Sequence, residues 1–177
     1  NIAIGENAFF ANTTGGECVA IGHLALDANT TGNYNMAMGS GALGANTTAD
    51  GNIAIGQAAL NVNTGAYNVA IGIDALAANT TAGSNVGIGR NVLVANTTGD
   101  GNVAVGSLAL DANTTASNNT AIGFSALTLN TTGANNTAVG MECLQDNTTG
   151  ANNVAMGQAA LANNTTAADN TSIGYAS

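Results

Sequence analysis

The chain is built from one unit, whose copy at residues 102–115 reads Asn102-Val103-Ala104-Val105-Gly106-Ser107-Leu108-Ala109-Leu110-Asp111-Ala112-Asn113-Thr114-Thr115. Copies of this unit begin at Asn1, Cys18, Asn35, Asn52, Asn68, Asn85, Asn102, Asn119, Asn136, Asn153 and Asn170. The spacing is 17 residues throughout, except that the copy at residues 52–67 has 16. A fixed period of this kind predicts one repeat domain that spans residues 1–177.

Several positions of the unit, numbered 1 to 17, are nearly invariant. Position 3 is small, position 4 is a large apolar residue, and position 5 is Gly in every copy. Position 9 is Leu in every complete copy except the first, which has Phe9. A glycine that recurs at one place indicates a backbone requirement, either a positive φ or a close approach of two segments.

The unit is too short to bury an apolar face by itself, so its copies must stack. Positions 1 to 5 are typical of a β-strand that ends at the glycine. Positions 7 to 10 fit either a second short strand or a single helical turn, and Asn-Thr-Thr-Gly is typical of a turn. Because that turn interrupts every unit, a helical repeat is excluded. The sequence therefore predicts an all-β fold, a parallel β-solenoid (β-roll) of about ten 17-residue turns.

Charged side chains occur only at positions 6, 7, 10, 11, 16 and 17 of the unit. Because an unpaired buried charge is costly, the charge-free positions are predicted to be interior or contact positions. We expect position 4 to be buried in every turn, as at Ile88. Positions 2 and 4 share one face of the strand and position 3 lies on the other, and both faces are apolar or small. This pattern indicates that one face packs inside and the other packs against a second protomer.

Stacking places like residues above one another and predicts ladders of hydrogen-bonded side chains. The first ladder is the asparagine at position 12, namely Asn12, Asn29, Asn46, Asn63, Asn79, Asn96, Asn113, Asn130, Asn147 and Asn164. A second ladder is the asparagine at position 1, interrupted at Cys18. A third is the threonine at position 13, namely Thr13, Thr30, Thr47, Thr64, Thr80, Thr97, Thr114, Thr131, Thr148 and Thr165.

Composition excludes several classes of partner. The chain has one basic residue, Arg90, against ten acidic ones, so it cannot neutralise the phosphates of a nucleic acid. It shows no signal peptide and no apolar run long enough to span a membrane. The missing initial Met indicates a processed product or a segment of something longer. Cys18 and Cys143 lie seven turns apart, ~34 Å, so we expect two buried thiols and no disulfide.

The repeat offers little support for a catalytic or metal-binding site, and we predict no cofactor. His23 is the only histidine and lies at a variable position, so we expect it on the surface. Asp27 and Asp111 share position 10 but lie five turns apart, ~24 Å, too far for a catalytic pair. Scattered acids do not make an oxygen cage for a metal.

Asn-Thr-Thr is also an acceptor pattern for N-glycosylation, for example at Asn29 and Asn113, whereas Asn63 is followed by Thr-Gly and lacks the pattern. Glycans on adjacent turns, ~4.8 Å apart, would collide if every site were filled. The competing interpretation is that the turn itself needs asparagine.

The units at residues 119–135 and 136–140 resemble the NTAIG-x-x-AL-x-x-NTTG repeats of phage tail-fibre-like proteins. The Val-Ala-Ile-Gly segments at residues 19–22 and 69–72 are similar to the head repeats of YadA-type trimeric autotransporter adhesins, although those units are shorter and lack the Asn-Thr-Thr-Gly arm. The resemblance covers the whole chain. It implies a left-handed, trimeric β-roll in an extracellular fibre on a virion or a cell surface.

Three functions are compatible with these observations. The first is a structural, non-catalytic fibre segment that spaces or presents an attachment site for a cell-surface receptor or glycan; the varied side chains at position 6 are one place for such contacts. The second is a self-assembling extracellular filament subunit. The third is an ice-binding solenoid, based on the threonine column. That third function is disfavoured because neighbouring residues of a strand point to opposite faces, so that only one threonine per turn could face water.

Overall fold

Each copy of the unit forms one turn of a β-solenoid in the computed structural model, which describes residues 1–177. Positions 2 to 4 form a three-residue strand in every copy, and these strands are Ile2–Ile4 (β1), Val19–Ile21 (β2), Met36–Met38 (β3), Ile53–Ile55 (β4), Val69–Ile71 (β5), Val86–Ile88 (β6), Val103–Val105 (β7), Thr120–Ile122 (β8), Thr137–Val139 (β9), Val154–Met156 (β10) and Thr171–Ile173 (β11). The structure contains no helix that could cross a membrane.

The eleven strands form one parallel sheet in chain order, β1 through β11. Each strand residue pairs with its equivalent 17 positions later, as in Val103 with Thr120. The offset falls to 16 between β4 and β5, where Ile53 pairs with Val69. Of the 112 backbone hydrogen bonds, only 20 join one strand residue to another. Most of the bonds that join the turns are therefore made by the corners and loops. The predicted parallel β-solenoid is confirmed.

The glycine at position 5 meets both of the predicted requirements. Its φ lies in the left-handed region in every copy, for example +144° at Gly89. A Cβ added to Gly89 would lie 2.6 Å from the carbonyl oxygen of Gly106 on the next turn. Such a contact is too short for any side chain, and the backbone of the neighbouring turn cannot move away. The turns can therefore stack at strand spacing only if this corner has no Cβ.

Positions 7 to 12 form turns, and neither of the two alternatives left open for this segment, a strand or a helix, is present. Within the second copy, Ala25 N–H donates to Gly22 O and Asn29 N–H donates to Leu26 O, each closing a four-residue turn. Positions 7 and 9 have positive φ, as at Leu24 (55°) and Leu26 (53°). A left-handed leucine costs about 1–2 kcal/mol. Burial of its side chain recovers a similar amount, about 1.5–3 kcal/mol.

The interior is a narrow column of small residues and one leucine per turn. The 26 residues of the core are, with few exceptions, the Ala at positions 3 and 8 and the Leu at position 9. Gly87 and Val92 replace the two alanines in the same turn, and a Cβ on Gly87 would lie 3.1 Å from Val92 Cγ1. A larger residue at position 8 is thus accommodated by a smaller one at position 3. Both cysteines occupy the same interior as buried free thiols, as predicted.

The prediction that position 4 is buried is wrong. Ile88 is 38% exposed, whereas the position-3 residues of the internal turns, such as Ala104, are 0% exposed. Positions 2 and 4 form the outer face of the sheet and position 3 forms the inner face. The reason is the width of the interior: opposite Leu76, a Cβ at Gly87 would already be 3.2 Å from Leu76 Cδ1, so an isoleucine would not fit.

Candidate interaction surface

The position-12 asparagines form the predicted ladder inside the rod. In the seventh turn, Asn113 Nδ2 donates to Asn96 Oδ1 at 2.8 Å and to the carbonyl of Ala116 at 3.0 Å. Asn113 Oδ1 in turn accepts from Asn130 Nδ2 at 3.2 Å. These carboxamides are fully buried, so each bond replaces water that the side chain lost on folding. The ladder therefore stabilises the inner side of each turn, and other residues form the outer side.

The position-1 asparagines form the second ladder with a different geometry. Asn85 Oδ1 accepts from the backbone N–H of Asn102 at 2.8 Å, and Asn85 Nδ2 donates to the Gly99 carbonyl at 2.9 Å. Cys18 interrupts this ladder as predicted, and its Sγ lies 3.5 Å from the equivalent carbonyl of Gly32. A weak thiol donor therefore occupies the place of a carboxamide.

The threonine column is a ladder to the backbone. Thr97 Oγ1, at position 13, donates to the Thr114 carbonyl at 3.0 Å. The threonines at position 14, such as Thr98, are exposed and their hydroxyls make no hydrogen bond within the chain. Because the pair lies in a turn and not in a strand, both columns reach the surface. Strand alternation therefore does not limit contact with water to one column, although the position-13 hydroxyls already donate to the backbone of the next turn.

The short copy breaks the first and third ladders. Asn63 Nδ2 donates to the Gly65 carbonyl at 2.6 Å and not to Asn46. Asn46 Oδ1 is consequently buried without a partner. Neither Thr47 nor Thr48 donates its N–H to the next turn, whereas Thr30 N–H reaches the Thr47 carbonyl at 2.8 Å. The strands remain paired here, so the missing residue opens only the Asn-Thr-Thr corner between the third and fourth turns.

Burial of the ladder also restricts when these asparagines can be modified. Asn29 and Asn113 are 0% exposed, and both nitrogens donate two hydrogen bonds. An enzyme that attaches a glycan to Nδ2 could reach them only before the turns close. Glycosylation at Asn29 and Asn113 stays a prediction, now limited to the unfolded chain.

The residues weighed for catalysis are not brought together. His23 is exposed, and Asp27 and Asp111 lie on the same column of the rod, in the second and seventh turns. No group of three or more His, Cys, Asp or Glu side chains is placed to hold a metal ion. A cavity of about 400 Å³ lies beside Leu161, Asn164 and Ser177, where residues 170–177 fill only part of a turn.

The outer face of the sheet is a continuous apolar surface, formed by positions 2 and 4 of β1–β11 and here called the outer apolar face. Nineteen of its 22 side chains are Ile, Val or Met, and the other three are Thr120, Thr137 and Thr171. Ile88, Ile122 and Met156 are 38%, 40% and 42% exposed. Eleven strands at ~4.8 Å make a strip ~50 Å long and about 10 Å wide, roughly 500 Å². The largest apolar patch on a soluble monomer is commonly about 300–600 Å² and is often functional, so this face is a candidate interaction site.

Electrostatics separate this face from the rest of the rod. Positions 1 to 5 carry no charge in any copy, so the formal charge of −9 resides entirely on other sides. One of these acids is partly desolvated: burial raises the pKa of the Asp111 carboxyl, and its Oδ1 has no hydrogen-bond partner. Position 6, directly after the strand and its glycine, adds exposed apolar side chains at Ile73, Phe124 and Met141.

Comparisons with known proteins do not extend these observations, because no protein-family model, no characterised protein and no solved structure matches the chain.

Proposed function

We propose that this chain is a structural, non-catalytic segment of an extracellular fibre, in which copies associate side by side through the outer apolar face. The observation that carries the proposal is an uncharged strip of Ile, Val and Met that runs the full length of the rod. A monomer in water would leave this strip hydrated at a cost of roughly 25 cal/mol per Å² of apolar area.

The area of the strip favours several copies over one weak pair. Two strips of about 500 Å² would bury about 1,000 Å² in total, the lower limit for a specific interface. The position-6 residues Ile73, Phe124 and Met141, each 41–49% exposed, would widen the contact. A closed trimer would let each copy use both margins of its strip, which agrees with the resemblance to trimeric fibre proteins.

Repetition itself supports a spacing or presenting role. Eleven copies place the same groups at regular intervals, whereas catalysis needs unlike groups brought together. The varied side chains of the loops, which lie away from the strip, would then face a receptor or glycan outside the assembled fibre.

A test replaces two residues of the outer apolar face by Asp, in the variant Ile88→Asp/Ile122→Asp. We expect the wild type to be oligomeric in multi-angle light scattering and this variant to be monomeric with an unchanged far-UV circular dichroism spectrum. The matched control is Thr98→Asp/Thr132→Asp, which changes exposed side chains in the same two turns and should leave the wild-type mass. A monomeric wild type at micromolar concentration would refute the proposal.

The filament alternative rests on a different observation. β1 and β11 each pair with only one neighbour, so each leaves one strand edge unpaired in this chain. Copies stacked end to end through these edges would form long filaments, whereas side-by-side association would form particles of about the length of one rod. Electron micrographs of the purified chain distinguish the two arrangements.

A further inference from the structure

The third turn has a gap at its surface, where one side chain is missing, and this gap supports an inference that is separate from the fibre role. Position 10 of this turn is Gly44, while the turns before and after it carry Asp27 and Asn61 at the same position. A Cβ placed on Gly44 would lie 3.0 Å from Asn61 Oδ1, 3.4 Å from the Gly41 carbonyl oxygen and 3.6 Å from Asp27 Oδ1. Three oxygen atoms from three successive turns therefore converge on one small volume at the surface.

The two side chains at this gap have no other partner. Neither the Asp27 carboxylate nor the Asn61 carboxamide forms a hydrogen bond within the chain. The Gly41 carbonyl accepts one bond, from Gly44 N–H at 3.3 Å, and keeps a second lone pair. The only basic side chain, Arg90, lies four turns away, ~19 Å, so it does not neutralise Asp27.

We propose that Asp27, Gly41 and Asn61 form a weak calcium site. A carboxylate, a carboxamide and a backbone carbonyl are the oxygen types that Ca²⁺ takes, and water can complete its six to eight ligands because Asn61 is exposed. Mg²⁺ fits less well, since it demands near-ideal octahedral geometry and releases its water reluctantly. With a single carboxylate, the site belongs to the weak extracellular class, with a Kd of about 1 mM.

The place of the gap indicates what the cation would do. It bridges the second and fourth turns, directly beside the corner where the short copy removes the Asn46 and Thr47 ladder bonds. A bound Ca²⁺ would add a connection between turns beside the one Asn-Thr-Thr corner that lacks its ladder bonds. Scattered acids alone do not hold a metal, but two of the three ligands here are uncharged. Asp27 and Asn61 come from turns on either side of the Gly44 turn, and Gly41 contributes only its backbone carbonyl, so no metal-binding motif is visible in the sequence.

The test measures thermal unfolding at constant ionic strength with 10 mM CaCl₂ or 10 mM MgCl₂. For a Kd of about 1 mM, CaCl₂ should raise the Tm of the wild type by about 4 °C. MgCl₂ should give less than half of that rise. Isothermal titration calorimetry with CaCl₂ should show one site per chain.

Three variants make the test specific. Gly44→Ala fills the gap without backbone strain, because the φ of Gly44 is not in the left-handed region. It should keep the metal-free Tm within about 1 °C of wild type and lose the calcium response. Asp27→Asn should also lose the response. Asp111→Asn, which removes another acid from the same column, should keep it.

Two outcomes would overturn the site. Equal rises with both salts in all four proteins would mean that divalent cations only screen the net charge. No rise in the wild type would also overturn the site, and a lower metal-free Tm in a further variant, Asn61→Ala, would then mean that the Asn61 amide is turned and donates to Asp27 instead. Neither outcome bears on the oligomeric state, so the fibre proposal is tested separately.

Discussion

Asn63 does not reach Asn46, although every other neighbouring pair of position-12 asparagines is joined by a hydrogen bond of 2.7–3.2 Å. The copy at residues 52–67 lacks one residue of the Asn-Thr-Thr corner, and Asn63 Nδ2 turns to the Gly65 carbonyl of its own turn. Asn46 Oδ1 is left buried and unpaired. One missing residue thus interrupts a ladder that otherwise runs the length of the rod.

Insertion of a threonine between Thr64 and Gly65 should repair this break. It restores the 17-residue period, the bond to Asn46 and the backbone bonds from Thr47 and Thr48. We expect the free energy of unfolding to rise by about 1–3 kcal/mol, the usual cost of leaving a buried polar group unpaired. The measurement is chemical denaturation. The same insertion between Thr97 and Thr98, in an intact turn, is the control and should destabilise the protein.

Loss of one ladder carboxamide should be costly. Asn113→Ala leaves Asn96 Oδ1 buried without its donor and removes the acceptor of Asn130. We expect a loss of about 2 kcal/mol or more in the free energy of unfolding. Asn163→Ala, at an exposed asparagine with no side-chain hydrogen bond, should change it by less than about 0.5 kcal/mol. Equal effects would show that the ladder does not stabilise the fold.

The corner glycine allows a sharp test of the stacking geometry. In Gly89→Ala the new Cβ would lie 2.6 Å from the Gly106 carbonyl oxygen at a φ of +144°. We expect a loss of about 3 kcal/mol or more, since both the contact and the backbone conformation are unfavourable. Gly16→Ala serves as the matched control, because its Cβ would meet only Asn33 Oδ1, at 3.5 Å. Thermal melts of the two variants should differ by at least several degrees.

The orientation of the strand can be checked with two aspartates one turn apart. Ala104→Asp places a charge in the closed interior and should prevent folding or cost about 4 kcal/mol or more. Ile88→Asp places the charge on the outer apolar face, where the side chain is 38% exposed, and should cost about 1 kcal/mol in the monomer. A reversed order in circular dichroism melts would mean that position 4, and not position 3, faces the interior.

Asp111 predicts an unusual pH dependence. Burial raises the pKa of its carboxyl in the folded state, so folding disfavours the charged form. The resulting loss of folding stability is absent below the unfolded-state pKa of the carboxyl and fully present above its folded-state pKa. Stability should therefore fall as the pH rises through this window. We expect Asp111→Asn to raise the Tm at pH 7 and to have no effect near pH 3, where the carboxyl is protonated in both states. A constant difference across this range would contradict the assignment.

The repeat alone was enough to predict the parallel register, the two asparagine ladders and the glycine corner. The physical reason is that identical units of fixed length place like on like, so Asn96 must lie above Asn113 whatever the shape of the turn. The same repetition identified the missing residue near Thr64, although not its effect on Asn46. A sequence that repeats in this way determines the neighbours of a residue along the rod without a structure.

Only the tertiary structure decided which side of each strand is inside. Strand alternation separates Ile88 from Gly87, but both faces are free of charge, so polarity does not choose between them. The choice depends on the space left by Leu76 and its equivalents. These leucines enter the interior from a turn with positive φ, and a leucine in the sequence does not indicate that conformation. The gap between Asp27 and Asn61 is likewise a property of stacking, because these residues meet only when the Gly44 turn lies between them without a side chain.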